Sequence, residues 1–193
     1  MPLRYMPLTL PNIVTLLRIL LIPLIVGIFY VPDAWLSDEG KNIAATGVFI
    51  VAAITDWLDG YLARRLNQMS AFGAFLDPVA DKLVVVGALI VLLKLGRVDM
   101  VVGLIIIGRE IAISALREWM ATVGRAKSVA VAFIGKLKTV LQMVAIPLLL
   151  FDDRLFGVID CYALGTVLIY VAAVLTVVSM LYYLRRALPH ARG

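Results

Sequence analysis

Residues 56–81 read DWLDGYLARRLNQMSAFGAFLDPVAD. Four aspartates, Asp56, Asp59, Asp77 and Asp81, stand there in two close pairs, and long apolar runs lie on both sides of them. Of the 193 residues, 63% are hydrophobic, whereas soluble domains are roughly half apolar. The mean hydropathy is +1.01. Apolar windows of about 18 residues mark membrane spans. Six are expected, at about 13–31, 43–62, 79–95, 100–120, 129–151 and 162–184. The third is short, and the second and fourth carry polar residues. The fold class expected is therefore all-α, a polytopic membrane protein of six transmembrane helices. These use most of the chain, so 1–193 is read as one integral membrane domain with a basic tail at 185–193. The first stretch is long for a signal peptide, and no small-residue cleavage site follows it. Val31-Pro-Asp-Ala-Trp35 reads instead as a helix exit with an interfacial tryptophan.

Charge orients the spans. Asp33, Asp38, Glu39 and Lys41 leave the first loop net negative, and Asp152, Asp153, Arg154 and Asp160 do the same before the last span. Arg64, Arg65, Arg125, Lys127, Lys136, Lys138, Arg185 and Arg186 gather on the other side. The positive-inside rule then puts both termini in the cytoplasm and the aspartates at the cytoplasmic interface, with Lys94 and Arg97 as exceptions. A net charge of +5 spread over membrane loops fits anionic lipid headgroups better than nucleic acid. The single Cys161 excludes an intramolecular disulfide, and the single His190 leaves no His/Cys metal cluster.

An ionisable group at membrane depth is costly and marks a functional site by default. On helices Asp56 and Asp59 are i,i+3 neighbours, and Asp77 and Asp81 are i,i+4 neighbours. Each pair projects from one face. Asn67, Ser70 and Gly73 read as a turn that folds the two helices back on each other. Asp77-Pro78 reads as a helix cap followed by proline at the first helical position. Four carboxylates in a low-dielectric pocket must protonate or bind cations. Two divalent ions balance the charge, and all-oxygen ligands favour Mg²⁺ or Mn²⁺. Such a pair of ions can clamp a phosphoryl group during transfer. Helix caps and surface charges are the competing reading.

Gly60 and Ala63 continue the stripe of Asp56 and Asp59, either to admit a flat nucleotide or merely to pack helices. Arg64 lies one turn beyond Gly60 and can fork onto a pyrophosphate, whereas Arg65 reads as a snorkelling charge.

The order Asp56-x2-Asp59-Gly60-x2-Ala63-Arg64-x8-Gly73-x3-Asp77-x3-Asp81 resembles, position by position, the signature of the CDP-alcohol phosphatidyltransferase family. The resemblance implies a six-helix, usually dimeric fold, dependence on Mg²⁺ or Mn²⁺, and a donor such as CDP-diacylglycerol from which CMP is released. It implies that Asp56, Asp59 and Asp77 bind metal, and that Asp81 both binds metal and deprotonates the acceptor hydroxyl. Gly60, Arg64 and Ser70 would contact the nucleotide diphosphate. Ala63 and Gly73 complete the motif, and Asn12 joins the set of donor-binding candidates. For Asn12, Thr15 and Arg18, a helix cap and an interfacial arginine are the alternative.

The acceptor must be read elsewhere. GREIAISALREW places Arg109, Glu110, Ser114, Arg117 and Glu118 on one half of the fourth span. GKLKTVLQ places Lys136, Lys138, Thr139 and Gln142 on a polar arc of the fifth. Arg109, Lys136, Lys138 and Arg117 are the candidate ligands of a small phosphorylated alcohol; an Arg–Glu brace between helices and snorkelling lysines are the alternative. The segments RE-I-x-x-SALREW, SVA-V-x-x-IGK-x-KT-x-x-QM and PN-x-x-TLLR-x-x-LIP are similar to one bacterial branch of that family, whose acceptor is sn-glycerol 3-phosphate. That resemblance covers about 10–183. A nucleotide-triphosphate enzyme finds no support, because Gly135-Lys136 has Ala130 where a P-loop needs its first glycine. Two alternatives stay open. One is a sister enzyme acting on inositol phosphate, serine or phosphatidylglycerol; the other is a cation transporter lined by the same carboxylates.

Overall fold

The computed structural model describes residues 10–65, 71–122 and 133–187. Six α-helices account for most of them: α1 (Leu10–Ile28), α2 (Asp38–Arg65), α3 (Ala71–Lys94), α4 (Met100–Thr122), α5 (Phe133–Phe151) and α6 (Cys161–Ala187). A short antiparallel hairpin joins the last two helices, with β1 (Arg154–Leu155) paired to β2 (Ile159–Asp160). The residues fall into two compact units, 1–91 and 92–193.

Burial departs from that of a water-soluble protein: beside an apolar interior, charged residues are buried and many large apolar ones are exposed. Arg18, Arg109, Lys138, Asn12, Thr15 and Gln142 are buried, while Leu20, Leu104, Ile111, Val167 and Val174 are exposed on the helix faces. Apolar side chains facing outward and polar ones facing inward suit hydrocarbon as solvent, where helices alone satisfy their own backbone groups. By length and apolarity, windows in two helices, Ile134–Phe151 and Cys161–Arg185, qualify as crossing segments among the described residues. In α1 the apolar stretch is the shorter Asn12–Ile28. Of the six expected spans, those in α5 and α6 alone meet that measure among the described residues; Asp77, Asp81 and Lys82 interrupt the apolar run of α3, and Arg109, Glu110 and Arg117 that of α4.

In the first unit α1 packs on α2, and Ile22 of α1 lies so close to Gly87 of α3 that a Cβ there would meet it at 2.9 Å. In the second, α6 packs on both α4 and α5. A Cβ at Gly165 would lie 2.8 Å from Leu149 and 3.2 Å from the Ala145 carbonyl, so α5 and α6 approach through the absence of a side chain. Ile113, Met120 and Tyr183 form an apolar core between α4 and α6.

The helix ends explain one exception to the charge rule. Gly96, with φ of 69°, turns the chain out of α3, and the Arg97 N–H returns to the Leu92 carbonyl at 2.9 Å. Arg97 then donates to the carbonyls of Leu149 and Leu150 at 3.2 and 2.9 Å and pairs with Asp152 at 2.9 Å. Its charge is spent on the C-terminus of α5, where carbonyls lack helical partners.

The expected cap at Asp77-Pro78 is corrected. Helix α3 begins at Ala71, so Asp77, Pro78 and also Gly73 lie inside it. At this interior position Pro78 forgoes the hydrogen bond to the Ala74 carbonyl and crowds it, a cost of about 3 kcal/mol. Burial of Gly73, Leu76 and Ala80 along one face offsets that loss. Asn67 and Ser70 of the expected turn lie outside the described residues.

Candidate active site

Two clusters of polar side chains are buried, one in each unit. The first is organised by α1. Asn12, Thr15 and Arg18 recur every three residues, and all three are buried. The Thr15 hydroxyl donates to Asp77 Oδ1 at 2.7 Å. Arg18 Nη1 donates to Asp56 Oδ1 at 2.8 Å and to Asp81 Oδ1 as well. Three of the four signature aspartates, from α2 and α3, therefore meet one stripe of α1. Neither a cap nor an interfacial arginine describes these residues: Asn12 lies within α1, and Arg18 has a side chain only 1% exposed.

Asp59, Gly60, Ala63 and Arg64 lie on the last turns of α2, with Asp59 one turn after Asp56. Ser70 lies outside the described residues. Gly73 is buried in the first turn of α3. Among the described residues no three His, Cys, Asp or Glu side chains form a metal-ligand cluster. The donor set nevertheless fits a hard cation. Asp56 and Asp81 offer carboxylate oxygens to one shared positive group, and Arg18 supplies that group here.

The second cluster belongs to α4, α5 and α6. A cavity of about 360 Å³ is lined by Arg109, Glu110, Arg117, Gly135, Lys136, Lys138, Thr139 and Val140. All four predicted acceptor ligands thus border one space. Glu110 Oε1 accepts from Arg109 Nη1 at 3.2 Å and from Lys138 Nζ. Arg109 Nη2 also reaches Ser179 Oγ of α6 at 3.3 Å. The guanidinium groups of Arg109 and Arg117 stand 5.9 and 5.6 Å from the Tyr183 ring centre, within cation–π range. Arg109 and Lys138 are buried, while Lys136 and Arg117 are exposed. Four cations against one carboxylate leave the cavity positive, which suits a small anion. Glu110 makes the contacts of a brace between helices, and its partners are two of the cations that border the cavity.

Residues 8–178 match the family model for CDP-alcohol phosphatidyltransferase. The chain belongs to that family. The matched stretch takes in all four aspartates of α2 and α3. Among its relatives, the CDP-diacylglycerol–glycerol-3-phosphate 3-phosphatidyltransferase of Escherichia coli K12 is 48% identical over 184 residues, covering 94% of this chain and 96% of the relative. The protein of the same name from Escherichia coli O157:H7 matches equally, and that of Shigella flexneri serotype 5b is 47% identical over the same length. The relatives and this chain therefore correspond over both units of the fold.

Sequence reasoning undervalued Thr15, Arg18, Glu110 and Tyr183. The buried stripe of Asn12, Thr15 and Arg18 in an apolar helix was the available signal for the first two. Tyr183 gave none, since an aromatic near a span end is ordinary at a membrane interface.

Proposed function

We propose that this protein transfers the phosphatidyl group of CDP-diacylglycerol to sn-glycerol 3-phosphate, forming phosphatidylglycerol phosphate and CMP in phospholipid synthesis. The whole chain acts as one domain in the bacterial inner membrane, with both termini and the site on the cytoplasmic side, and it works as a homodimer. The observation that carries the acceptor assignment is the convergence of Arg109, Arg117, Lys136 and Lys138 on one cavity. The names of the relatives point to the same acceptor.

Asp56, Asp59, Asp77 and Asp81 hold two Mg²⁺ or Mn²⁺ ions. Bound there, the ions supply Lewis-acid stabilisation of the negative charge that develops on phosphate oxygens. The rest of the chemistry falls to side chains. Arg64 faces the donor diphosphate, with Gly60, Ala63, Gly73, Ser70 and Asn12 shaping the donor site. Arg109 and Lys138 bind the phosphate of the acceptor, and Lys136 and Arg117 screen it at the mouth of the cavity. Asp81 takes the proton of the acceptor's 1-hydroxyl. The oxygen then attacks the phosphorus that carries diacylglycerol, in line with departing CMP.

Purified protein given CDP-diacylglycerol and, in turn, glycerol 3-phosphate, inositol phosphate, serine and phosphatidylglycerol tests the assignment. CMP release with glycerol 3-phosphate alone is expected. Release only with another acceptor would move the protein to a sister activity.

A further inference from the structure

We propose that Arg18 is a built-in counter-charge for the aspartate site, a positioning residue that holds Asp56 and Asp81 together before metal binds and opposes the metal when it arrives. The proposal rests on the reading of these aspartates as metal ligands. Its own support is geometric. A single guanidinium nitrogen, Nη1, donates to carboxylates from two different helices, Asp56 on α2 and Asp81 on α3. The arginine side chain is only 1% exposed, so water contributes little to screening its charge. One turn earlier on α1, Thr15 holds Asp77 with a neutral hydroxyl. The stripe thus treats the carboxylates unequally. It places a full positive charge between two of them and only a dipole on the third.

Asp56 and Asp81 would repel each other without a cation between them. Arg18 removes that repulsion and keeps both ionised side chains facing one point. A divalent ion taken up by the same oxygens meets the arginine as a like charge at close range, whether the guanidinium swings aside or stays. The charge of Arg18 therefore stabilises the metal-free protein and weakens metal affinity. Ordinary structural damage has the opposite sign, because a disordered ligand set binds metal less well.

The experiment uses full-length protein in lipid nanodiscs and reads Mn²⁺ binding from the electron paramagnetic resonance of free Mn²⁺, with thermal unfolding in EDTA and in Mn²⁺. Arg18→Gln should unfold at a lower temperature than wild type in EDTA, yet bind Mn²⁺ more tightly by at least about tenfold. Its gain in unfolding temperature on adding Mn²⁺ should exceed that of wild type. Thr15→Val, which removes only a neutral partner, should not tighten binding. Arg18→Lys keeps the charge and loses only the planar fork, so its Mn²⁺ affinity should stay near that of wild type. It also decides the matter if Arg18→Gln cannot be recovered folded: Mn²⁺ binding tightened about tenfold or more by Arg18→Lys, despite the retained charge, would then overturn the proposal, and affinity near wild type would support it. Equal or weaker binding by Arg18→Gln would overturn it too, while leaving the metal site itself in place. A wild-type protein that binds no Mn²⁺ would overturn both.

Discussion

Lys138 on α5 donates to Glu110 on α4, and the same carboxylate oxygen accepts from Arg109. One acid thus sets the positions of two buried cations that border the cavity between α4 and α5. Glu110→Gln should raise the KM for glycerol 3-phosphate while leaving that for CDP-diacylglycerol within about twofold. It should also destabilise the protein, since removing one partner from a buried ion pair costs roughly 3 kcal/mol. Arg109→Ala should raise the acceptor KM further still, measured by CMP release at varied concentrations of each substrate. A larger effect on the lipid donor would remove both residues from the acceptor site.

Arg97 provides the contrast. It joins two α5 carbonyls and Asp152, and it does not line the cavity of Arg109 and Lys138. Arg97→Ala should lower the unfolding temperature, consistent with hydrogen bonds to a charged group worth about 1.5–3 kcal/mol each. The KM for either substrate should stay unchanged in steady-state assays.

How far these sites could be read in the chain differs between them. The aspartate pairs were legible because carboxylates in an apolar run have few structural uses, and because their spacing fits helix turns. The four cations that border the cavity were legible as polar arcs of α4 and α5 for the same reason. Arg18 was not, because its meaning lies in contacts 38 and 63 positions away. Asp77-Pro78 carried a strong local signal for a helix start, and tertiary burial of Gly73 and Leu76 overrode it. The hairpin at Arg154–Asp160 escaped notice because two-residue strands have no alternation to detect. Its turn depends on positive φ at Phe156 and Gly157, 55° and 70°, and Phe gives no warning of that conformation.

Lys41 makes a pH prediction outside the bilayer. Its ammonium is buried between Asp33 and Asp38, and the hydrogen bond it donates to Asp33 raises its pKa above the ordinary 10.5, partly offset by burial. A lysine raised on folding adds stability that is fully present below the unfolded value and lost as pH climbs through the folded one. Wild type should therefore exceed Lys41→Met in thermal stability at neutral pH, and the difference should shrink only above about pH 10.5. A difference that disappears near neutrality would contradict the pairing.

The central claim is that Asp81 serves as the base in a metal-dependent transfer to glycerol 3-phosphate. Its most direct test is the passage of radiolabelled glycerol 3-phosphate into lipid by purified protein supplied with CDP-diacylglycerol. Wild type should form labelled lipid with Mg²⁺ or Mn²⁺ and none in EDTA. Asp81→Asn, folded by thermal unfolding, should lose at least about a hundredfold in rate. Lipid labelling that survives EDTA, or that Asp81→Asn sustains at the wild-type rate, would contradict the account.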